Sequence, residues 1–472
     1  MQIQTDTTLK ERLAQFLSKL SPLTARKLAL GLEREKLRGT ALPYEAIMSG
    51  LRPKLGASGE KRPGLGNAFR QFCIPFEDLL EDKTRRVKQQ GRICRNSISP
   101  VWNWLSRDLL PDAVADLSAR VTEHALTGDE VALEAAISVL HSSASAAIIK
   151  ALNAARRDPQ QRRALEQALG GEAVLEDAHE MAQALAIAPA LRAVQASTPK
   201  PIAEFEEDLV YFTRDIYRQV LDSNSENAIY VPLSVMGRLS QPWQILRFVK
   251  KIARQNTDIL LTETELAVLG EILFRQIEDI ATRYAAQRAG EQNLNLMLQD
   301  VTWFARASKG IATEIDLRRV GEWGQRLLAA RGRMSATVSD EISRFEHDLA
   351  AALPLHKIGM YGRSGPRRPD LTGAPQPQPI EAMAQALHFL AGISIVAESI
   401  GLQSHCKTVR AEIDDYLAVY SDGLIEDIRL LRGPERRNAQ SFLEVACLFY
   451  EIIGPFEMGG ILRRRGVVAA QD

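Results

Sequence analysis

The chain has 472 residues, 45% hydrophobic and 25% charged, and its 59 Arg and Lys balance 59 Asp and Glu. So much core-forming material excludes wholesale disorder, and zero net charge excludes a global field favouring DNA, membrane or acidic ligands. At about 100–200 residues per domain, the length suits several segments.

The neutrality is uneven. Residues 1–108 hold 20 Arg and Lys against 11 Asp and Glu; residues 109–200 hold 8 against 12, and residues 201–300 hold 10 against 15. A basic N-terminal helical segment, 1–110, is therefore expected. Its opening, MQIQTDTTLKERLAQF, places charges where a signal peptide needs an apolar run of about 7–15 residues, so a cytoplasmic protein is expected. GASGEKRPGLG, 56–66, reads as a loop and lacks the glycine spacing of a phosphate-binding Walker motif.

The most conspicuous stretch is RRVKQQGRICRNSISPVWNWL, 85–105, with five cations in eleven positions followed by two tryptophans. Gly91 should break it into helices over 80–90 and 100–110, with Ser99 as N-cap and Pro100 in the first turn. On the second helix Val101, Trp102, Leu105 and Leu109 share a face, which makes Trp102 a core residue and leaves Trp104 for a partner surface. The tryptophans follow the cations instead of interleaving with them, unlike a single-strand stacking platform, and EDLLEDK, 77–83, offers the cations internal partners. Arg85, Arg86, Lys88, Arg92, Arg95 and Trp104 are the candidate binding residues.

An alanine-rich helical segment follows over 111–200. Leu110, Val114, Leu117, Val121 and Ala125 form one apolar stripe; Leu133, Ile137, Leu140, Ile148 and Leu152 form the next, with Gly128 and Asp129 at the junction. Leu133-Glu134 recurs as Leu175-Glu176, 42 positions on, but two copies do not make a solenoid. Glu176 and His179 have the Glu-x-x-His spacing of a di-iron helix, without the second copy that such a site needs.

The central bundle, 202–356, is predicted from three further stripes. They run Phe205, Leu209, Phe212, Ile216, Val220; then Leu266, Leu269, Leu273, Ile277, Ile280; then Val338, Ile342, Phe345, Leu349, Leu353. Thr262 and Glu265 read as a capping box. AIYVPLSVM, 228–236, is the one strand candidate, interrupted by Pro232. His347 and Asp348 adjoin as in HD-type phosphohydrolases, with no further histidine nearby upstream.

Residues 357–379, rich in Pro and Gly, are expected to form a mobile linker to a C-terminal helical segment, 380–472. Its GMYGRSG, 359–365, has a GxxG step but none of the strands of a KH domain. ALHFLAGISIVAESIGL, 386–402, is short for a membrane span and carries His388 and Glu398, so a buried helix is expected. Asp415, Asp422 and Glu426 share a helix face without the DDxxD order that holds Mg²⁺ diphosphate. Cys73, Cys94, Cys406 and Cys447 show neither zinc nor disulfide spacing.

These readings converge on an all-α, multi-segment protein, and no cofactor is expected. The function they suggest is a non-catalytic scaffold or adaptor that binds a protein partner. The alternatives are nucleic-acid binding by the basic segment and a helical enzyme with dispersed catalytic groups.

Overall fold

The computed structural model describes scattered positions of 13–51 and then residues 67–82, 88–127, 129–254, 257–287, 293–357, 367–454 and 456–471. The fold is all-α. Among the described residues the only strands are two short pairs, β1 (Leu80–Glu81) parallel to β2 (Ile93–Cys94) and β3 (Leu355–Lys357) antiparallel to β4 (Arg367–Pro369). The chain divides into two compact units, residues 1–255 with 264–269 and residues 256–263 with 270–472. That division falls inside the predicted central bundle, not at 357–379.

In the first unit, α1 (Ala68–Cys73) runs into a 3-10 turn over Ile74–Leu79, and α2 (Ile98–Trp104) follows β2. Then come α3 (Pro111–Thr127), α4 (Glu130–Arg157), α5 (Pro159–Leu169), α6 (Glu172–Ala186) and α7 (Ala188–Ser197). Asp129 caps α4 through the Ala132 amide, and Asp158 caps α5 with Pro159 in its first turn, where a missing donor costs nothing. Gly170, at φ 96°, closes α5 in the left-handed conformation that glycine permits. Helix α4 packs its Ile137, Leu140, Ile148 and Leu152 stripe against α3 and α6. Both copies of the Leu-Glu step are helical, but α4 has 28 residues and α6 has 15, so they are not equivalent repeat units.

The unit continues through α8 (Glu207–Ser223), α9 (Tyr230–Arg238) and α10 (Ile245–Ala253). The strand candidate 228–236 is helix α9. Residues 230–236 and Arg238 are all buried, so the helix shows no amphipathic period, and Pro232 lies in the first turn, where no backbone hydrogen bond is lost. On α8 the fully buried positions are Val210, Thr213, Tyr217 and Val220, a stripe turned from the predicted one so that Tyr217 reaches the Phe248 ring edge-on.

The second unit contains α11 (Asp258–Leu261), most of α12 (Ala267–Gln287), α13 (Leu294–Glu314), α14 (Glu322–Ile342) and α15 (Phe345–Ala352). After the strand pair come α16 (Pro377–Val396), α17 (Gln403–Leu430), α18 (Gly433–Ile453) and α19 (Phe456–Gln471), with α17, α18 and α19 packed on one another. The predicted capping box is not formed. Thr262 Oγ1 donates to the Ile259 carbonyl, and the Glu265 carboxylate accepts from the Tyr217 hydroxyl at 2.9 Å. The expected mobile linker is partly structured: β4 is strand-paired, Arg368 bonds Glu426 and Asp427, and Pro377 begins α16. Its GMYGRSG lies outside the described residues.

Among the described residues, by length and composition alone, two helices would suffice to cross a membrane, α4 and α16. The most apolar windows of these helices are 39% and 33% buried within the chain, so the buried-helix expectation for α16 holds only for its inner face.

Candidate functional site

Among its described residues the basic stretch does not form two helices flanking Gly91. Its described part is an irregular loop running into β2, a 3-10 turn over Arg95–Ser97 and α2, which begins at Ile98 rather than Pro100. Three carboxylates hold this loop in place. Asp177 on α6 accepts from Lys88 Nζ, from the Cys94 amide at 3.1 Å and from Ser97 Oγ at 2.6 Å. One turn further along α6, Glu180 accepts from the Gly91 amide at 2.8 Å and from the Tyr230 hydroxyl at 2.6 Å. Asp82 accepts from Arg95 Nε at 2.9 Å. Ser97 is thus engaged by Asp177, and Ser99, the expected N-cap, lies inside α2, which begins at Ile98.

Burial raises the Glu180 carboxyl above its ordinary range, and Lys88, Tyr230 and Gly91 pull it back. Tyr230, buried beside that carboxylate, is held protonated. A second node lies close by in the fold. The buried Asp78 carboxylate accepts from Lys200 at 2.9 Å, from Arg238 at 3.1 Å, from Ser234 at 3.1 Å and from Gln195 at 3.2 Å. These nodes satisfy buried charge with several hydrogen bonds each, as low-dielectric surroundings require.

Of the six predicted binding residues, Arg85 and Arg86 lie outside the described residues. Lys88 and Arg95 spend their charge on Asp177 and Asp82. Arg92 is half-buried, and its carbonyl accepts from Lys88. Trp104 corrects the helical-wheel reading, because it is buried, at 7% exposure, while Trp102 is the half-buried indole. Trp102 packs against Phe69 and Phe72, with ring centroids at 5.4 and 5.1 Å. Ile98, Val101, Trp104 and Leu105 share the inward face at ordinary helical spacing, and the chain widens into a π-turn only from Leu105 to Leu109.

Lys88 also lines a cavity of about 300 Å³ with Leu152, Ala155 and Arg156 of α4, Arg162 of α5, and Leu175, Glu176, His179 and Glu180 of α6. The Glu176 and His179 pair thus sits in a cleft beside cations and not in a carboxylate-rich bundle core. Arg162 is shared with Glu166 at 2.7 Å and Glu172 at 2.6 Å. The sequence showed Glu-x-x-His and the Arg pairs at 156–157 and 162–163, but nothing in it brings Lys88 alongside α6, 89 positions from Asp177.

The other constellations are surface or structural. His347 and Asp348 are both exposed, 3.7 Å apart. Asp422 bonds Arg465, and Glu426 bonds Arg368. Among the described residues no group of three or more His, Cys, Asp or Glu could hold a metal ion. Burial pushes the Cys73 thiol up to about 12 and Cys447 to about 11, so neither presents a thiolate near neutral pH. The chain matches no protein-family model, no curated protein and no solved structure.

Proposed function

We propose that the chain is a non-catalytic helical scaffold that binds other proteins. The supporting observation is the exposed apolar side chains on α4 and α16, the two helices among the described residues long and apolar enough to cross a membrane. The apolar windows of α4 and α16 are only 39% and 33% buried, and the two helices leave Val131 83% and Ile395 85% exposed. Helix faces of this kind suit a partner helix or groove, where apolar contact forms the centre of an interface. The nucleic-acid alternative loses support from Lys88 and Arg95, whose charges are already paired within the chain.

Photo-crosslinking residues placed at positions 131 and 395 of the full chain test this reading. A defined covalent protein adduct is expected at one of them; an excess of the chain without a crosslinker should compete it away, and the same excess carrying Val131→Glu with Val139→Glu, or Ile395→Glu, should not. The variants should melt with the wild type, since exposed substitutions usually shift stability by less than about 0.5 kcal/mol. Crosslinking to nothing but water, or only to lipid when vesicles are added, would overturn it.

A further inference from the structure

We infer that one end of the α17, α18 and α19 bundle docks on a bilayer surface that carries anionic lipid headgroups. Three contacts bring the C-terminus of α17, the N-terminus of α18 and the C-terminal half of α19 together there. Gly466 of α19 lies against Leu443 of α18, and Arg436, near the start of α18, donates to the Ala470 carbonyl near the end of α19. Arg465 pairs with Asp422 of α17 at 2.9 Å. Helix α19 therefore runs antiparallel to α18, which itself turns back on α17 at the corner 431–433.

The corner reads RLLRGPERR, 429–437, with four arginines against one glutamate. Arg432 donates to the Arg429 and Leu431 carbonyls and Arg436 to that of Ala470, so neither charge is met by a carboxylate. Arg437 and Arg464 are exposed and make no ion pair among the described residues. The other described carboxylates nearby are engaged: Asp422 by Arg465, Glu426 and Asp427 by Arg368, and Asp370 by Thr372. Glu435 alone stands exposed within the corner, and Asp472 lies outside the described residues. The balance of this end is positive.

Apolar side chains stand exposed among these cations. Leu430 is 65% exposed, Val467 60% and Val468 55%. On α19, Ile461, Arg464 and Val468 follow one another at helical spacing on the outer face, while Leu462, Gly466 and Ala469 are buried on the inner one. A nucleic acid would meet the arginines with phosphate but leave the valines in water, and neither 429–441 nor 457–471 contains an aromatic residue on which a base could stack. A bilayer interface satisfies both kinds of group, with arginines at the headgroups and apolar tips at the acyl boundary. Four uncompensated arginines reach the cluster size, about 4–8, that holds a segment at an anionic leaflet.

The test sediments the full chain with vesicles of phosphatidylcholine, with or without phosphatidylserine. Saturable partition onto the phosphatidylserine vesicles is expected, weakening as salt rises, with little onto phosphatidylcholine alone. Arg432→Gln, Arg437→Gln and Arg464→Gln together should weaken it about a hundred-fold, at about five-fold per charge, with the melting temperature unchanged. The same three positions as lysine should keep most of the partition, since a headgroup layer responds to charge more than to the guanidinium fork. Val467→Ser with Val468→Ser should weaken it several-fold, and Arg85→Gln with Arg86→Gln should leave it unchanged. The proposal is overturned by equal partition onto phosphatidylcholine, by no partition onto phosphatidylserine vesicles, or by indifference to either the glutamine or the serine set. A DNA duplex or an acidic peptide that binds where vesicles do not, and is lost on the three glutamine substitutions, would assign the surface to that partner instead.

Discussion

Single residues carry much of the first unit's geometry. Gly91 has φ 72°, and a Cβ there would lie 2.5 Å from the Leu233 side chain, while its amide is the donor that Glu180 requires. Left-handed backbone costs a non-glycine residue about 1–2 kcal/mol, and overpacking costs about 1–3 more. Gly91→Ala should therefore destabilise the first unit by about 3 kcal/mol in urea unfolding; a change below about 1 kcal/mol would mean that the loop relaxes freely. His141 offers a titration. Its Nε2 lies 2.7 Å from the Gln71 carbonyl, so that nitrogen carries the proton, and burial holds the imidazole down at about 4. Below the ordinary value of 6.5 the unfolded chain takes up a proton that the folded chain refuses. Stability should fall as pH drops from about 6.5 to about 4, by up to about 3 kcal/mol at about 1.36 kcal/mol per unit. His141→Gln keeps a donor but cannot titrate, so its stability should lack this component; an unchanged pH profile would refute the assignment.

At the scale of elements, α6 acts as a post to which the loop 88–97 is tied. Asp177 takes three donors from that loop, and Glu180 takes a fourth. Asp177→Asn leaves Lys88 facing a neutral amide. Removing one partner of a buried ion pair costs about 3–5 kcal/mol, reduced here because Lys88 is partly exposed, so a loss of about 2–3 kcal/mol is expected. Hydrogen exchange should quicken at amides of 91–97 while α17, α18 and α19 keep their protection, and unchanged exchange would show that the tie carries no stability. These ties explain what sequence reading could reach. Long stripes such as Val338, Ile342, Phe345, Leu349 and Leu353 were legible because one-sided burial imprints the helical period. Helix α9 was not, because it is buried on every side and loses that period. The loop 88–97 was not either, since its conformation is set by carboxylates some eighty to ninety positions away.

Across the whole molecule, the N-terminal excess of positive charge is a property of the sequence, while its availability is a property of the fold. Of the five cations in residues 85–95, Lys88 and Arg95 are committed to Asp177 and Asp82. The cleft that Lys88 borders was invisible in sequence for the same reason: Arg156, Arg162 and His179 meet Lys88 only after α4, α5 and α6 have packed. The commitment has a measurable consequence. Each phosphate neutralised on duplex DNA contributes about −0.9 to the slope of log K against log salt. With two of its five cations withdrawn, the run can neutralise no more than three phosphates, so its slope can be no steeper than about −3. Fluorescence anisotropy of a labelled duplex, titrated with the full chain between about 50 and 200 mM salt, should give at most that slope and weak binding at the upper end. A slope near −5 that Arg85→Gln with Arg86→Gln reduces by about 2 would show all five cations engaged on the polyanion, which requires the Lys88 to Asp177 and Arg95 to Asp82 pairs to open.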